Sequence, residues 1–433
     1  MPRFQTFSFE RYRFDPDSRR LTLQYALDDS VRFTESFRFD FDFADGYSRP
    51  ALERALFGLF LMAGVSYYKT YVPPKIRLRE SRLSPGQAAF FAESYEHGLG
   101  EFFYRNRLRP RAPAFEGSAR TPDRPVRLPG LKGAVVPIGG GKDSIVAAEL
   151  MRSSGREFAT WNVRTGGRIA PLVRAIGAPH LHVDRTVAPN IGAANRQGAY
   201  NGHVPITGIL MFLATVTAIL TGRKDVVFAN ESSANEPNLT YRGRTINHQY
   251  SKSLVYERRF QQYLRRYVSP DLRCFSVLRP LSELAIAEVF CERYLETYAG
   301  AFSSCNRNFK LSGRRKSLGW CGECPKCAFV FALFSPFVTR ERLLALFGGR
   351  NLFEQPALDT TFRELLGITG TKPFECVGEI REVRAAVTFA RRSGNYPELD
   401  RFRFPPPRYD YRRFRPHAMP PPYLASLKRF LKR

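Results

Sequence analysis

The sequence predicts an α/β protein whose centre is a doubly wound, parallel sheet of five strands. Between residues 131 and 300, five short apolar segments alternate with segments of helical periodicity, a pattern typical of parallel strands joined by helices. A glycine-rich loop follows the first apolar segment and precedes a helix. Strands are predicted at 134–138, 158–163, 181–183, 226–229 and 275–278, and helices are predicted to begin near Asp143, Ile169, Val204, Lys252 and Ser282.

Segments of different character flank this core and predict four units. Residues 1–120 are predicted to form an α+β domain, because about the first 45 residues alternate polar and apolar side chains as antiparallel strands do. Helical segments follow at 50–68 and 87–104, and a linker rich in proline and arginine is predicted at 107–129. The α/β domain occupies 131–300, and a helical region with a cysteine cluster occupies 301–395.

The fourth unit, residues 396–433, is a basic, proline-rich tail. From residue 401 it contains ten Lys or Arg side chains, one acidic side chain and two proline triplets. It could be an arm that binds anions or nucleic acid, or a strap that aromatic side chains anchor on the protein, and we favour the strap. The anchoring side chains would be Phe402, Phe404, Tyr409, Tyr411 and Phe414.

The composition indicates a folded protein that attracts anions. Hydrophobic residues make up 43% of the 433 positions, which excludes a disordered chain. The formal net charge of +27 favours nucleotides, phosphorylated sugars, nucleic acid or acidic membranes as partners, although an arginine-rich composition alone would also produce it. The apolar run at 204–220 is interrupted and short for a membrane span, so we predict a buried helix. The first residues lack the apolar core of a signal peptide, and we expect a cytoplasmic enzyme.

The glycine-rich loop is the predicted phosphate-binding element. Glycine allows close approach of the backbone to a phosphate, and the following helix offers free N–H groups and the positive end of its dipole. The spacing differs from that of a Walker A loop, and an ordinary glycine turn before a helix is the alternative. The predicted nucleotide-binding residues of this loop are Gly139, Gly140, Gly141, Lys142, Asp143 and Ser144.

Four of the seven cysteines are clustered and predict a metal site. Cys321, Cys324 and Cys327 have two-residue spacing, and Cys305 lies a short way upstream. Four thiolates satisfy tetrahedral Zn²⁺ and leave no open position, so the zinc would be structural. A redox or iron–sulfur centre and unliganded thiols are the alternatives. The remaining cysteines, Cys274, Cys291 and Cys376, are predicted to be core residues.

Three polar runs lie near the ends of predicted elements. His203 opens the apolar helix, and Asn230 and Glu231 follow the fourth strand, where a carboxylate beside a phosphate loop suits Mg²⁺. His248 and Lys252 are spaced i, i+4 and would share a face if a helix begins there. Capping or core histidines and a solvated loop are the alternatives for these runs.

These runs, the glycine loop and the cysteine cluster together resemble the UDP-N-acetyl-α-D-muramoyl-L-alanyl-L-glutamate epimerase (MurL) family. The matching segments are 139–144, 201–207, 230–234, 247–253 and 321–327. The loop also resembles the PP-loop of ATP pyrophosphatases with a HUP-like fold, with Gly139 at the position of a serine. The resemblance implies an enzyme that inverts the terminal L-glutamate of UDP-MurNAc-L-Ala-L-Glu for peptidoglycan synthesis, with ATP and Mg²⁺ as cofactors and AMP and diphosphate as products.

The resemblance also suggests roles for particular residues. Inversion needs two proton-transfer groups on opposite faces of the α-carbon, and His203 and His248 are the candidates, with Lys252 as an alternative base or an enolate-stabilising cation. Lys142 and Ser144 are expected near the β and γ phosphates. Trp161 could contact adenine or be a core aromatic.

Two other classes of protein fit part of the sequence. A ligase similar to 7-cyano-7-deazaguanine synthase also combines a PP-loop with four cysteines, but the N-terminal β-rich region and the histidine runs argue against it. A tRNA-modifying or nucleic-acid-binding protein would explain the charge and the basic tail, and it predicts co-purified RNA. Nucleic acid is therefore an unfavoured but open partner, and we expect no insertion into a membrane.

Overall fold

The computed structural model describes residues 4–80, 82–115, 124–163, 167–309 and 319–432. Within these ranges, ten strands form one mixed, mostly parallel sheet, and two more form a separate antiparallel ribbon. The strands are β1 (Thr6–Asp15), β2 (Arg20–Leu27), β3 (Val31–Asp40), β4 (Lys75–Leu78), β5 (Ala114–Phe115), β6 (Ala134–Pro137), β7 (Phe158–Val163), β8 (His180–Thr186), β9 (Asp225–Phe228), β10 (Leu239–Tyr241), β11 (Arg244–Ile246) and β12 (Arg273–Ser276).

The helices alternate with the parallel strands and then dominate the chain after residue 280. They are α1 (Arg49–Ala63), α2 (Val65–Tyr68), α3 (Pro85–Gly98), α4 (Gly100–Arg105), α5 (Lys142–Ser153), α6 (Ala170–Ile176), α7 (Ile191–Arg196), α8 (Ile206–Leu220), α9 (Leu254–Tyr263), α10 (Glu283–Arg293), α11 (Leu295–Tyr298), α12 (Pro325–Phe334), α13 (Arg340–Leu346), α14 (Asp359–Leu365), α15 (Ile380–Arg392) and α16 (Pro421–Lys432).

The five predicted parallel strands are confirmed as β6, β7, β8, β9 and β12. They lie in the order β12-β9-β6-β7-β8, and each neighbouring pair is parallel. The chain therefore moves from β6 to one side of the sheet and returns to β9 on the other side. The gap between β6 and β9 is the switch point at which such sheets bind ligands.

The sheet is larger than the five strands predicted, because the N-terminal strands extend it. β3 pairs antiparallel with β8, with Phe37 opposite Arg185, and β3, β2 and β1 continue as an antiparallel meander. The order ends with β4 and β5, which are parallel to β1. The exposed edge of β8 would otherwise leave backbone groups unpaired, and β3 satisfies them. Residues 116–123 of the predicted linker lie outside the described residues.

Two apolar clusters cover the two faces of the sheet. On one face, α8 packs against α1 and the sheet, so the apolar run at 204–220 is a buried helix as predicted. On the other face, α5 and α10 pack with α12 and α15. None of the helices in the described part of the chain is long and apolar enough to cross a membrane.

The basic tail packs on the second face. Phe402 is fully buried, and Tyr411 donates to Glu288 at 2.9 Å and accepts a hydrogen bond from Ser282 Oγ at its carbonyl. The other predicted anchors are partly buried against the same cluster: Phe404, Tyr409 and Phe414. This packing agrees with the strap, which ends in α16.

Candidate active site

Three adjacent strands end at one edge of the sheet and lead directly into polar segments. β6 leads into the glycine loop, β9 leads to Asn230 and Glu231, and β12 leads to Arg279. Asn230 Nδ2 donates to Ser276 Oγ at 3.0 Å, which joins the ends of β9 and β12. The candidate site therefore lies at the carboxyl edge of the sheet, at the switch point between β6 and β9.

The glycine loop favours glycine at one position by its backbone conformation and at another by close packing. Gly140 has φ of 93°, and a Cβ atom on Gly141 would lie 2.4 Å from Ser304 Oγ. Ser303 N donates to the Gly140 carbonyl at 2.9 Å, so the segment before Cys305 packs directly on the loop. Gly141 is the N-cap of α5, and no side chain caps that helix. Its first N–H groups therefore open towards the loop, as an anion-binding helix end requires.

Lys142 lies under the loop, and its side chain is 1% exposed. Its ammonium contacts Asp143 Oδ1 at 2.5 Å and also Glu283. Burial disfavours the charged form, but the two carboxylates raise the pKa of Lys142 above its usual value. Ser144 Oγ donates to the Gly141 carbonyl at 2.9 Å. The lysine is thus a fixed positive charge beneath the loop.

Glu283, the first residue of α10, connects this lysine to the cysteine-rich region. Its other oxygen lies 3.5 Å from Lys326 Nζ, and the carboxylate is 2% exposed. Burial opposes its ionisation, but Lys142 and Lys326 lower its pKa to about 2. Nearby Glu231 is also buried, and burial together with the charge of Glu283 raises its pKa to about 7. Sequence reasoning found Glu231 but missed Glu283 and Lys326.

His203 and His248 meet at a carboxylate from the N-terminal region. Their ring centroids are 4.3 Å apart, and Glu101 Oε2 on α4 lies 2.5 Å from His248 Nδ1 and 3.8 Å from His203 Nδ1. Burial lowers the pKa of His203 to about 3. Burial also opposes the charge of His248, but hydrogen bonds with Cys376 and Glu101 raise its pKa to about 9. The two histidines therefore differ in charge at neutral pH.

The ligand atoms of Glu101, His203 and His248 lie within 4.8 Å of one another. Ligands at about 2.1 Å from a tetrahedral metal stay about 3.4 Å apart, and the 2.5 Å contact of His248 with Glu101 is closer than that. We therefore interpret this group as a hydrogen-bonded acid–base pair with a second histidine beside it.

Lys252 and Cys376 complete this cluster. Lys252 Nζ lies 3.1 Å from Cys376 Sγ, although α9 begins only at Leu254 and Lys252 ends a short 3-10 turn. The prediction that Cys376 is a core residue is wrong: it lies in the loop before α15, among charged side chains. Neither its spacing nor its neighbours in the sequence indicates this position, since Lys252 and His248 lie more than 100 residues away in the chain.

Arg279 holds the two halves of the site together and was also missed. It is fully buried, and its guanidinium donates to the carbonyls of Glu231 and Lys252 and to the carboxylate of Glu257. One side chain thereby fixes the segment after β9 to the segment that carries Lys252.

Trp161 lies in the core between the sheet and α8. It is 1% exposed, and its Nε1 donates to Thr217 Oγ1 at 3.1 Å. This placement corresponds to the core-aromatic alternative, and it leaves no face of the ring open to a nucleotide.

The four clustered cysteines converge as predicted. Sγ–Sγ distances are 3.9 Å for Cys305 and Cys324, 3.7 Å for Cys321 and Cys327, and 3.5 Å for Cys324 and Cys327. Thiolates at about 2.3 Å around a tetrahedral Zn²⁺ are about 3.8 Å apart, so the geometry fits zinc. The distances are too long for disulfides. Cys324 occupies the N-cap position of α12, and Lys326 is the second residue of that helix, so the cluster lies directly beside this lysine.

Comparison with known proteins identifies the relatives of this chain. A family model described as the MurL N-terminal domain matches residues 1–277, and one described as the MurL C-terminal domain matches residues 301–400. A protein of Xanthomonas oryzae pv. oryzae is 40% identical over 389 residues, which cover 88% of this chain and 85% of the relative. A protein of Salinispora tropica is 38% identical, covering 89% and 85% of the two chains. A protein of Micromonospora sp. is 37% identical, covering 89% and 87%. All three are named UDP-N-acetyl-alpha-D-muramoyl-L-alanyl-L-glutamate epimerase.

Proposed function

This chain belongs to the MurL family, and we propose that it is an epimerase that converts the terminal L-glutamate of UDP-MurNAc-L-Ala-L-Glu to D-glutamate for peptidoglycan synthesis. The observation that carries this conclusion is its 37–40% identity, over 88–89% of the chain, to three relatives named for that activity. The net charge of +27 suits a substrate that carries a diphosphate and carboxylates.

We propose that the reaction proceeds through an acyl-adenylate. The α-proton of a glutamate carboxylate is weakly acidic, because its loss places a carbanion beside a negative charge. Transfer of AMP from ATP to the carboxylate removes that charge and releases diphosphate, so the α-proton becomes far more acidic. Hydrolysis of the acyl-adenylate then frees the inverted carboxylate and AMP.

The glycine loop is the proposed ATP site and acts as a PP-loop. The uncapped end of α5 and the backbone of Gly139, Gly140 and Gly141 would hold the diphosphate, with Ser144 near the β and γ phosphates. Lys142 would act through its charge from beneath the loop, while Glu283 and Asp143 hold it there. We assign Trp161 to the core and not to adenine.

Asp143, Asn230 and Glu231 are the proposed surroundings of Mg²⁺. Glu231 is 6% exposed, and the charge of Glu283 contributes to its raised pKa. A carboxylate whose pKa is raised by burial and by neighbouring carboxylates, as that of Glu231 is by Glu283 and Asp143, is stabilised in its charged form by a divalent cation, and Mg²⁺ prefers carboxylate and amide oxygens. Mg²⁺ bound there would neutralise charge on the departing diphosphate.

The proton-transfer groups are proposed to lie in the cluster for which the sequence offers His203 and His248 as candidates, with Lys252 as the alternative base or the cation that stabilises the enolate. Burial opposes both charges, but contacts with Cys376 and Glu101 raise the pKa of His248 to about 9, and those with Cys376 and Glu231 raise the pKa of Lys252, which favours the protonated forms at neutral pH. An imidazolium can donate a proton to the α-carbon, and an ammonium can stabilise the oxyanion of the enolate.

Structural Zn²⁺ bound by Cys305, Cys321, Cys324 and Cys327 is part of the same proposal. The metal would hold the start of α12, and thereby Lys326, against Glu283. A cytoplasmic location is proposed with it, because clustered thiols are retained in a reducing compartment.

The function is tested by incubating the purified protein with ATP, Mg²⁺ and UDP-MurNAc-L-Ala-L-Glu in D₂O. The glutamate is released by hydrolysis and analysed by chiral chromatography and mass spectrometry. We expect deuterated D-glutamate together with AMP and diphosphate. Consumption of ammonia with loss of water from a carboxylate substrate would instead indicate a ligase. If neither D-glutamate nor a ligation product forms and the protein binds RNA in a salt-dependent way, the result would indicate a nucleic-acid-directed protein.

A further inference from the structure

The arrangement of the two histidines raises a question about the second proton-transfer group. Two groups that act on opposite faces of a carbon need that carbon between them, whereas one oxygen of Glu101 lies 2.5 Å from His248 Nδ1 and 3.8 Å from His203 Nδ1 and so ties the two rings together. His203 is also the weaker base, because burial lowers its pKa to about 3. The histidine pair with Glu101 is therefore suited to proton transfer on one face of the α-carbon. Proton transfer on the opposite face needs a group from another segment of the chain.

Cys376 is a further ionisable group that the structure brings into the same cluster as His248. Lys252 Nζ lies 3.1 Å from its sulfur, His248 hydrogen-bonds it, and Lys326 donates to its backbone carbonyl. Three cationic groups thus surround one thiol, and the only acidic group among its nearest chain neighbours is Glu375. The thiol belongs to a cluster drawn from three separate segments of the chain.

The same contacts give Cys376 and His248 complementary charges. Burial opposes ionisation of the thiol, but Lys252, His248 and Lys326 lower its pKa to about 5. The pKa of His248 is raised to about 9. At neutral pH the pair is therefore a thiolate beside an imidazolium, so one group is ready to accept a proton and the other is ready to donate one.

We propose that Cys376 is one of the two proton-transfer residues of the epimerisation, and that His248, supported by Glu101, is the other. This inference rests on the proposed function and names the group on the second face. The α-carbon of the activated glutamate lies between Sγ and the imidazole, in place of their direct hydrogen bond. Lys326 links this position to Glu283 and Lys142, and so to the glycine loop where the carboxylate is activated.

The proton balance closes without a further reactant. The Cα–H bond of the L-epimer breaks, its electrons move onto the acyl oxygen as an enolate, and the proton passes to Cys376 Sγ. The enolate electrons then form a new Cα–H bond with the proton of His248 on the opposite face. When the product leaves, the hydrogen bond between the thiol and the neutral imidazole re-forms, and the proton returns from sulfur to nitrogen.

The first test compares Cys376→Ser and Cys376→Ala with the wild-type protein in D₂O. We expect conversion to D-glutamate to fall about 10²- to 10⁴-fold, the usual contribution of a general acid or base, while substrate-dependent AMP release continues. Cys291→Ala, at a half-buried cysteine of α10 outside the cluster, is the matched control and should retain conversion. Conversion within twofold of the wild type in Cys376→Ala would overturn the proposal.

The second test needs no turnover and uses the wild-type protein. Alkylation of Cys376 by iodoacetamide is followed by peptide mapping between pH 6 and 8. A thiolate gives a rate that is nearly constant over this range, whereas an ordinary thiol gives a rate that rises roughly tenfold per pH unit. Lys252→Met should restore a rising profile. A rising profile in the wild type would overturn the proposal. A wild-type protein that makes no D-glutamate would instead overturn the proposed function, and the role of Cys376 with it.

Discussion

Replacement of Glu283 by glutamine tests the buried charge cluster beneath the glycine loop. The carboxylate is 2% exposed and contacts both Lys142 and Lys326. Removal of one partner from a buried ion pair leaves the other charge uncompensated, and such changes cost about 3–5 kcal/mol. We therefore expect Glu283→Gln to lower the free energy of unfolding by about 3 kcal/mol at pH 7.

The pKa of Glu283 gives a second estimate of the same quantity. Its folded-state pKa of about 2 is lower than its ordinary value of 4.5. The carboxylate therefore stabilises the fold fully above about pH 5, and this stabilisation is lost as the pH falls through 4.5 towards 2. Linkage gives a contribution of about 3 kcal/mol at pH 7, which decreases to about 1 kcal/mol at pH 3.

The assay is urea unfolding followed by tryptophan fluorescence, because Trp161 and Trp320 lie in different apolar clusters and report on both faces of the sheet. Glu292→Gln, at an exposed position of the same helix, is the control and should change stability by less than about 0.5 kcal/mol. A Glu283→Gln effect below about 1 kcal/mol at pH 7, or one that does not shrink on acidification, would refute the reasoning.

Three further predictions concern the loop, the histidines and the metal. Gly141→Ala places a Cβ atom 2.4 Å from Ser304 Oγ and should reduce ATP-dependent AMP release at least tenfold. The control is Gly139→Ala, whose Cβ atom would meet nothing within 4 Å and which should retain AMP release. Equal rates in the two variants would contradict the loop assignment. Glu101→Gln removes one of the contacts that raise the pKa of His248. Because the protonated imidazole is the active form, the alkaline limb of the pH–rate profile should move to lower pH. An unchanged limb would exclude His248 as the proton donor. Removal of zinc by a chelator, or the substitution Cys324→Ser, should expose the Trp320 side chain, so that its fluorescence is quenched more readily, and should lower activity. A protein that contains no zinc by elemental analysis would contradict the metal assignment.

The parallel strands and the glycine loop were predictable because their signals are local. Each strand is a short apolar run next to a helical segment. Three of the four clustered cysteines lie within the seven residues 321–327, at a spacing typical of metal ligands. The continuation of the sheet from β8 to β3 was not predictable, since pairing between residues 36–40 and 182–186 depends on which free edge is available. The alternation of polar and apolar side chains predicts a strand but does not indicate which other strand it pairs with.

The candidate site was predictable only where polar residues follow strands. His203, His248, Glu231 and Lys252 stand in polar runs, and the structure brings them to one edge of the sheet. Cys376 lies 124 residues after Lys252, and a single cysteine in a loop has no pattern that distinguishes it from a core residue. Its significance comes from the three cations that the fold assembles around it.

The central claim is that activation at the glycine loop precedes proton transfer at the histidine and cysteine cluster on one substrate. The most direct measurement is deuterium incorporation at the α-carbon of UDP-MurNAc-L-Ala-L-Glu in D₂O with ATP, without ATP, and with an ATP analogue whose α–β bridge is a methylene. The account predicts incorporation only with ATP. Incorporation at an equal rate without ATP, or with the uncleavable analogue, would contradict it.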